Sequence, residues 1–353
     1  MKIVLPYSAH KGFDINSTKM VGGIEKFIKD VADNFDVIPV RVTEEDKKAK
    51  KIRQIVESAI GRHEPDMLML NQLGMGNYLS KLGIPIVAIW HEPLIRTIAL
   101  ENKCSYLKQL QSLNAHVYMV SEYQEEWFRE QSIRTTGSDF DEIHGHIHPS
   151  YLKGNEVVST EYEYDVGTIG SAYESKNPFY VHKQSDNELD SLVLTNDIAY
   201  KSNAEYLDKN RDWQKPQTTL FDLDHNVVLE TIAKCKVFCS TCPEESYGIT
   251  AQEALGHGLP TILITDKSNK HASESIAVDK THYRKLPKNC SKADFVATVK
   301  ELGKLPLAQT RLDISEKTKA KHSLQNWKKQ LENIFDKRLA DKNVRNSLVD
   351  FFV

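Results

Sequence analysis

Two glutamates eight positions apart, Glu245 and Glu253, bracket a Ser-Tyr-Gly turn in "CPEESYGITAQEALGHGLPTILI", residues 242–264. Ionised carboxylates accept hydrogen bonds from paired hydroxyls, so the chemistry open to them is the holding of a polyol. "KVFCSTCP" ahead of them reads as a strand running into a loop, and "ITAQEALGHG" as a helix with Gly258 at its C-terminal cap. Glu245 then lies on the loop and Glu253 about one turn into the helix. Either acid alone has a plainer reading, because a helix dipole favours an acid in its first turn by roughly 0.3–1 kcal/mol.

Two other clusters could suggest a metal. Cys239 and Cys242 form a C-x-x-C, and His144, His146 and His148 alternate in "IHGHIHPSY". A structural zinc site needs a second ligand pair at suitable spacing, and none follows the cysteines nearby, so no metal is expected. The five cysteines form no disulfide framework, which fits a reducing compartment.

The elements that must position these residues follow from the alternation of apolar runs with helical periodicity. "MKIVLPY", "FDVIPVRV", "DMLMLNQ", "IPIVAIW" and "AHVYMVS" read as strands of a first half, with helices from Gly23, in the Lys-rich stretch, and near residues 103–113. "YEYDVGTIGS", "DSLVLTN", "QTTLFDLD", "KCKVFCST" and "PTILIT" repeat the rhythm, with helices after residue 226, over 249–257 and over 292–302. Such alternation predicts an α/β protein with parallel sheets covered on both faces. At 353 residues the chain exceeds one ordinary core, so two domains of roughly 150–180 residues are expected. The polar stretch near residues 148–162 reads as the linker: an N-terminal domain over 1–150, a C-terminal domain over 160–335, and a last helix over 336–353 returning to the first. In open α/β sheets ligands bind outside the carboxyl ends of the strands, where the loop carrying Glu245 falls.

With this order and spacing, "EESYGITAQEALGHGLP" resembles the E-x7-E signature of retaining glycosyltransferases of family four and its relatives, which have the GT-B fold. The resemblance implies two Rossmann-like domains facing a central cleft. It also implies a nucleotide-diphosphate sugar as donor substrate, UDP-sugar first, and no cofactor or metal. Carried over residue by residue, Glu245 would accept hydrogen bonds from the donor sugar and Glu253 from the ribose. Gly248, Ile249 and Thr250 would bring backbone N–H groups to the sugar and phosphates at the helix N-terminus. "VGTIGSAYESKNP" resembles the family's diphosphate element: Gly170 and Lys176 match, while Ser171 stands where the family has arginine. Lys176 would be the diphosphate cation, with Lys201 or another cation to compensate for the missing one. In the first half, Gly22 and Gly23 ahead of Glu25 resemble the G-G-x-E element near the donor phosphates, and His91 would contact the donor sugar, its neighbour Glu92 the acceptor. Ser121 also matches the family pattern as an acceptor contact, and equally reads as a helix N-cap.

The acceptor has no comparable signature. Lys47, Lys48, Lys50, Lys51, Arg53 and Arg62 give the Lys-rich stretch a basic face, interrupted by Glu44, Glu45 and Asp46. The net charge of -3 neither demands nor excludes nucleic acid. In its compact length, its lysine and asparagine content and its missing arginine the chain is similar to the sugar-adding DNA-modifying enzymes of T-even-type phages. That likeness implies hydroxymethylcytosine in double-stranded DNA as acceptor, flipped from the stack to be reached. The alternatives are a saccharide or lipid acceptor of cell-surface polysaccharide synthesis, and a nucleotide-sugar-binding protein without catalysis. The start shows no long apolar h-region and no run approaches a membrane span, so a cytoplasmic protein is expected, in the host cytoplasm if phage-encoded.

Overall fold

The computed structural model describes residues 1–8, 13–16, 23–48, 50–71, 79, 82–91, 113–136, 143–196, 201–214, 218–267, 269–305 and 307–350. Of the sequence candidates, Gly22, Glu92, Cys104 and most of the helix expected near 103–113 lie outside these residues, as do the side chains of Lys48 and Lys201. The chain forms two compact units, Met1–Ser150 with Gln325–Val353, and Tyr151–Leu324.

The first unit is a six-stranded sheet of β1 (Lys2–Ser8), β2 (Asp36–Val42), β3 (Met67–Leu70), β4 (Ile86–Trp90), β5 (Ala115–Met119) and β6 (Ile143–His146). Its order is β2-β1-β3-β4-β5-β6, every pair parallel. β3, β4 and β5 are buried along their whole length, as expected of parallel strands covered on both faces, and for that reason they read as continuous apolar runs. Helices α1 (Gly23–Asn34), α2 (Glu44–Lys48), α3 (Ile52–His63) and α4 (Glu122–Thr136) connect them.

β6 is absent from the strands read from the sequence, where this stretch shows only the alternating His144, His146 and His148. The strand forms because Ile143 and Ile147 bury, while His146 turns to Glu125 at 2.8 Å and His144 stacks on His116 with ring centres 3.7 Å apart. Half-polar strands of this kind carry too few apolar residues to show a period.

The second unit repeats the plan with β7 (Tyr164–Ile169), β8 (Ser191–Thr195), β9 (Thr219–Phe221), β10 (Cys235–Ser240), β11 (Thr261–Thr265) and β12 (Tyr283–Pro287), in the order β12-β11-β10-β7-β8-β9. All its pairs are parallel too. β12 is half-exposed and ends in proline, which an edge strand tolerates, and its polar residues hid it from the sequence reading. The helices are α5 (Tyr180–Ser185), α6 (Lys201–Lys209), α7 (His225–Ile232), α8 (Ile249–Gly256), α9 (Lys292–Gly303) and α10 (Leu307–Lys321).

The final helix, α11 (Leu324–Asp350), goes almost entirely with the first unit, earlier than the expected start at 336. Trp327, Leu331 and Phe335 recur every four residues and are buried, with Trp327 against Phe27 and Phe335 edge-on to Phe35. Each such side chain contributes about 1.5–3 kcal/mol of burial, which fixes the helix well before residue 336. Among the described residues no helix is long and apolar enough to cross a membrane.

Arg311 on α10 is fully buried, and its guanidinium donates to the carbonyls of Gly258, Ala233, Cys235 and Ser159. Replacing it by methionine keeps length and removes every donor. Arg311→Met is expected to lower the stability of the second unit by roughly 1–3 kcal/mol or more, because several buried acceptors lose their partner. Denaturant unfolding of the full chain, followed by Trp213 fluorescence in a variant lacking the other tryptophans, measures it.

Candidate functional site

The second sheet starts at its centre. From β7 the chain moves outward through β8 to β9, returns to β10 on the other side of β7, and moves out to β11 and β12. The loops leaving β7 and β10 therefore part in opposite directions and open a crevice at the carboxyl ends of these two strands. Lys176 is on the first loop and Glu245 on the second.

These two side chains form an ion pair through Lys176 Nζ and Glu245 Oε2, with 24% and 16% of the side chains exposed. A second tie runs from Thr241 Oγ1 to the carbonyl of Lys176 at 2.5 Å. Burial pulls the Lys176 pKa down, but the Glu245 carboxylate outweighs it, so the net shift is upward and the ammonium stays charged. The loop after β7 is itself wound into a turn, with the Lys176 N–H donating to Tyr173 O and Tyr206 Oη donating to Asn177 Oδ1. Ser171, in the place of the family's arginine, receives the Asn196 amide at 3.4 Å. No guanidinium is supplied at that position.

Beyond Glu245 the backbone turns through Gly248, at φ +97, into α8. A side chain at Gly248 would be strained by this left-handed conformation and would run into Ser273 Oγ, so glycine is required twice over. No side chain caps α8. The N–H groups of Ile249 and Thr250 thus stand at the open, positive end of the helix. The loop is held from behind by the segment at 271–275: His271 Nε2 donates to Cys242 O at 2.9 Å, and Ser273 Oγ to Tyr247 O at 2.9 Å. Burial lowers the His271 pKa, and its Nδ1 accepts from Ser273 N, which sets one neutral tautomer.

Glu253 lies in α8 with 8% of its side chain exposed, and Oε1 meets His225 Nε2 at 3.1 Å. His225 opens α7, so two helices deliver their first turns to neighbouring places. Tyr247 is buried, with its hydroxyl 3.5 Å from His322 Nδ1, and belongs to the wall. Gly170 follows β7, its N–H donating to Leu194 O. The sequence candidates Lys176, Gly170, Ser171, Glu245, Gly248, Ile249, Thr250 and Glu253 are thus all in the second unit, and the structure joins Lys176 directly to Glu245. Sequence reasoning missed Thr241, His225, His271 and Ser273, which act across 20 or more residues and leave no local signal.

In the first unit, Gly23 begins α1 with Glu25 in the first turn. His91 follows β4, its ring 4.9 Å from that of Phe27, and burial pushes its pKa down to about 3. A neutral imidazole results, able to bond a hydroxyl without charge. Ser121 is buried and its Oγ accepts from Gln124 N at 3.1 Å, an N-cap of α4. Of the basic stretch, Lys47 donates to Ser8 Oγ and pairs with Glu44, and Arg53 pairs with Glu57.

The metal candidates of the sequence divide. Cys239 and Cys242 are buried, and burial raises the Cys239 thiol pKa well above its usual value. His144, His146 and His148 do not converge with one another. His144 instead joins His116 and Asp341, the one group of three metal-capable side chains within reach of each other among the described residues. His116 Nε2 already donates to Asp341 Oδ2 at 3.0 Å, and the two imidazoles are stacked at 13°, which turns their lone pairs parallel and not toward one point.

Two six-stranded parallel sheets, each with helical connections and the second with its polar side chains at the strand carboxyl ends, define a two-unit α/β architecture. No protein-family model matches the chain, and no curated protein sequence matches it. Solved structures do. Anabaena HepE in complex with UDP and glucose is 13% identical over 96% of this chain and 100% of its own, with a TM-score of 0.74. The sucrose-phosphate synthase of Thermosynechococcus elongatus is 12% identical over 96% of this chain and 99% of its own, TM-score 0.72. The lipopolysaccharide outer core galactosyltransferase WaaB in its apo form is 14% identical over 96% of this chain and 100% of its own, TM-score 0.65. The chain has the GT-B fold.

Two outcomes follow from the geometry. Gly248→Ala is expected to cost roughly 1–3 kcal/mol of stability through strain alone, read as a lower denaturant midpoint. His91, His116 and His322 all have folded pKa values depressed by burial, to about 3, 4 and 4 from 6.5. Their contribution to stability is present above pH 6.5 and is lost as pH falls toward these values, each adding a slope of up to about 1.4 kcal/mol per pH unit. Unfolding curves at pH 7, 6 and 5 should show this fall, and His91→Asn should flatten it.

Proposed function

We propose that the chain is a retaining glycosyltransferase that takes a sugar from a nucleoside-diphosphate donor, with a UDP-sugar as the first candidate. The observation that carries this is the meeting of Lys176 and Glu245 at the switch point of the second sheet, beside the uncapped N-terminus of a helix that bears Glu253. The site thus offers one cation and two backbone N–H groups for a diphosphate, one carboxylate for sugar hydroxyls and one for ribose hydroxyls. The presence of UDP in the HepE complex favours the same donor class here.

In the proposed reaction the acceptor hydroxyl oxygen attacks the anomeric carbon from the face on which the leaving group departs. The bond from that carbon to the diphosphate oxygen breaks, its electron pair stays on the diphosphate, and the same diphosphate takes the acceptor proton. Lys176 and the N–H groups of Ile249 and Thr250 stabilise the charge that develops on the leaving group. Glu245 steers Lys176 and accepts from the sugar. On the family resemblance alone, His91 would be a neutral hydrogen-bonding group for the sugar, with Gly22, Gly23, Glu92 and Ser121 as the remaining family positions.

For the acceptor, a saccharide hydroxyl is the first reading, because WaaB and sucrose-phosphate synthase by their names transfer to or build saccharides. The hydroxymethylcytosine reading gains no support from these likenesses and becomes a separate arm of the test. Full-length protein is incubated with radiolabelled UDP-glucose and UDP-galactose, alone, with mono- and oligosaccharides, and with hydroxymethylated duplex DNA. Label in a saccharide is expected, with the donor's anomeric configuration kept. Absence of both transfer and donor hydrolysis would reject the enzyme, and label in DNA alone would restore the base as acceptor.

Single substitutions divide the roles. Glu253→Ala should raise the donor KM about tenfold with little change in kcat, as befits loss of one hydrogen bond to a charged group. Glu245→Ala and Lys176→Ala should each lower kcat about a hundredfold. Normal kinetics in all three removes the site. Since Lys176 and α8 supply the charge, EDTA is expected to leave turnover unchanged; loss restored by Mg2+ would assign the charge missing at Ser171 to an ion.

A further inference from the structure

We infer that His225 is a positioning residue of the donor site: it holds the Glu253 carboxylate so that one oxygen stays turned to the ribose of a nucleoside diphosphate. This rests on the donor reading above and extends it to a residue that no sequence motif marks.

A buried carboxylate must be met by hydrogen bonds or opposite charge, or it forces its own neutralisation. Glu253 is the most enclosed acid of the site, with 8% of its side chain exposed, and His257 at the end of α8 also lies within its electrostatic reach. His225 Nε2 reaches Glu253 Oε1 at 3.1 Å from another helix, 28 positions earlier in the chain. The contact engages Oε1 and directs Oε2 elsewhere. A ribose presents two neighbouring hydroxyls, and a carboxylate with one oxygen anchored can still accept from them through the other.

The approach of His225 is built into the backbone. After β9 the chain turns through Asp222, in the left-handed region at φ 52, whose N–H is tied to Thr195 O at the end of β8. Asp224 then precedes α7 without capping it through its side chain, and His225 is the first helical residue. The far end of α7 is fixed by Arg311, which takes the carbonyl of Ala233. With both ends of α7 held, the imidazole cannot drift from Glu253 by rotation of the helix. His225 itself keeps 37% of its side chain exposed, so it borders the solvent-facing edge where a nucleoside would enter.

The arrangement predicts how affinity divides. If His225 acts by aiming Glu253, its loss harms ligands in proportion to what they ask of Glu253, and a ribose lacking a hydroxyl asks less. UDP, ADP and GDP are titrated into the full-length protein by calorimetry, and the tightest is compared with its 2′-deoxy form, in wild type, His225→Ala and His225→Gln. In wild type the 2′-deoxy form should bind about tenfold more weakly, the loss of one hydrogen bond to a charged group. In His225→Ala the ribonucleotide should weaken by about the same factor while the deoxy form changes less than about twofold, so that the discrimination collapses. Glutamine, which can place an N–H at similar reach, should restore most of it.

A merely structural role would lower affinity for both nucleotides equally and would lower the thermal midpoint. Equal loss for both nucleotides, or full discrimination in His225→Ala, overturns the inference and leaves the donor reading standing. Binding of none of the three diphosphates by wild type overturns both. If His225→Ala unfolds, His225→Gln and His225→Asn carry the comparison: discrimination kept by glutamine and lost with asparagine, whose amide is one methylene short, supports the aim of Glu253, and equal behaviour of the two refutes it.

Discussion

The second unit is organised by a cation with no acid beside it in its hydrogen bonds. Arg311 is fully buried, its guanidinium spread over four carbonyls, with the ring of Tyr162 lying 4.7 Å below. Two of those carbonyls belong to helix ends: Ala233 is the C-cap of α7, and Gly258 follows the cap of α8. A helix C-terminus carries about half a negative charge, so two of them offset much of one buried positive charge. Lysine could not replace it, because three donors on one nitrogen cannot fan out to carbonyls on separate segments. Gly258, at φ +80, has no side chain for the same reason: a Cβ would collide with the backbone of Arg311.

The polarity of the site follows from that anchor. Helices whose C-termini gather on one cation must point their N-termini the other way, toward the carboxyl ends of β7 and β10. The ammonium of Lys176, on the loop after β7, is offset by its pairing with Glu245, on the loop that leads into α8. A buried ion pair of this kind gains little net stability, since desolvation offsets most of the Coulomb attraction. In the proposed function its value would lie in keeping the ammonium charged and oriented before an anion arrives, so that little reorganisation would be required when one does. Thr241 serves the same end by holding the backbone of Lys176 to the opposite loop.

The sequence spelled out whatever depends on neighbours in the chain. Fully buried parallel strands such as Met67–Leu70 and Ile86–Trp90 appear as unbroken apolar runs, and the turn into α8 shows its Gly248 and its closing Gly258 within one short stretch. Half-polar strands did not show: β6 buries Ile143 yet carries two histidines, and β12 is an edge. Contacts over long separations were also hidden. Nothing in "TRLDIS" distinguishes Arg311 from a surface arginine, and "LDHN" reads as an ordinary helix start until the fold brings His225 to Glu253. The start of α11 was hidden too, because Trp327 and Phe335 find their aromatic partners in Phe27 and Phe35, some 300 residues away.

The same distinction explains why a donor is easier to read than an acceptor. The groups proposed for sugar and ribose, Glu245 and Glu253, lie within nine residues of one loop and one helix, so their spacing is itself a message. The first sheet has the same reversal of strand order, between β1 and β3, but four polar residues at its carboxyl end lie at or just after the ends of four different strands: Ser8, Asn71, His91 and Ser121. Asn71 is buried, and neither of its amide atoms has a hydrogen-bond partner among the described residues. No spacing rule links four residues whose separation is set by the lengths of the intervening helices, and those lengths are free to vary without moving the strand ends. If the first unit takes the acceptor as proposed, its choice would be written in the geometry of the sheet and in the loops above it, where one residue at a strand end can change the substrate while leaving the architecture intact.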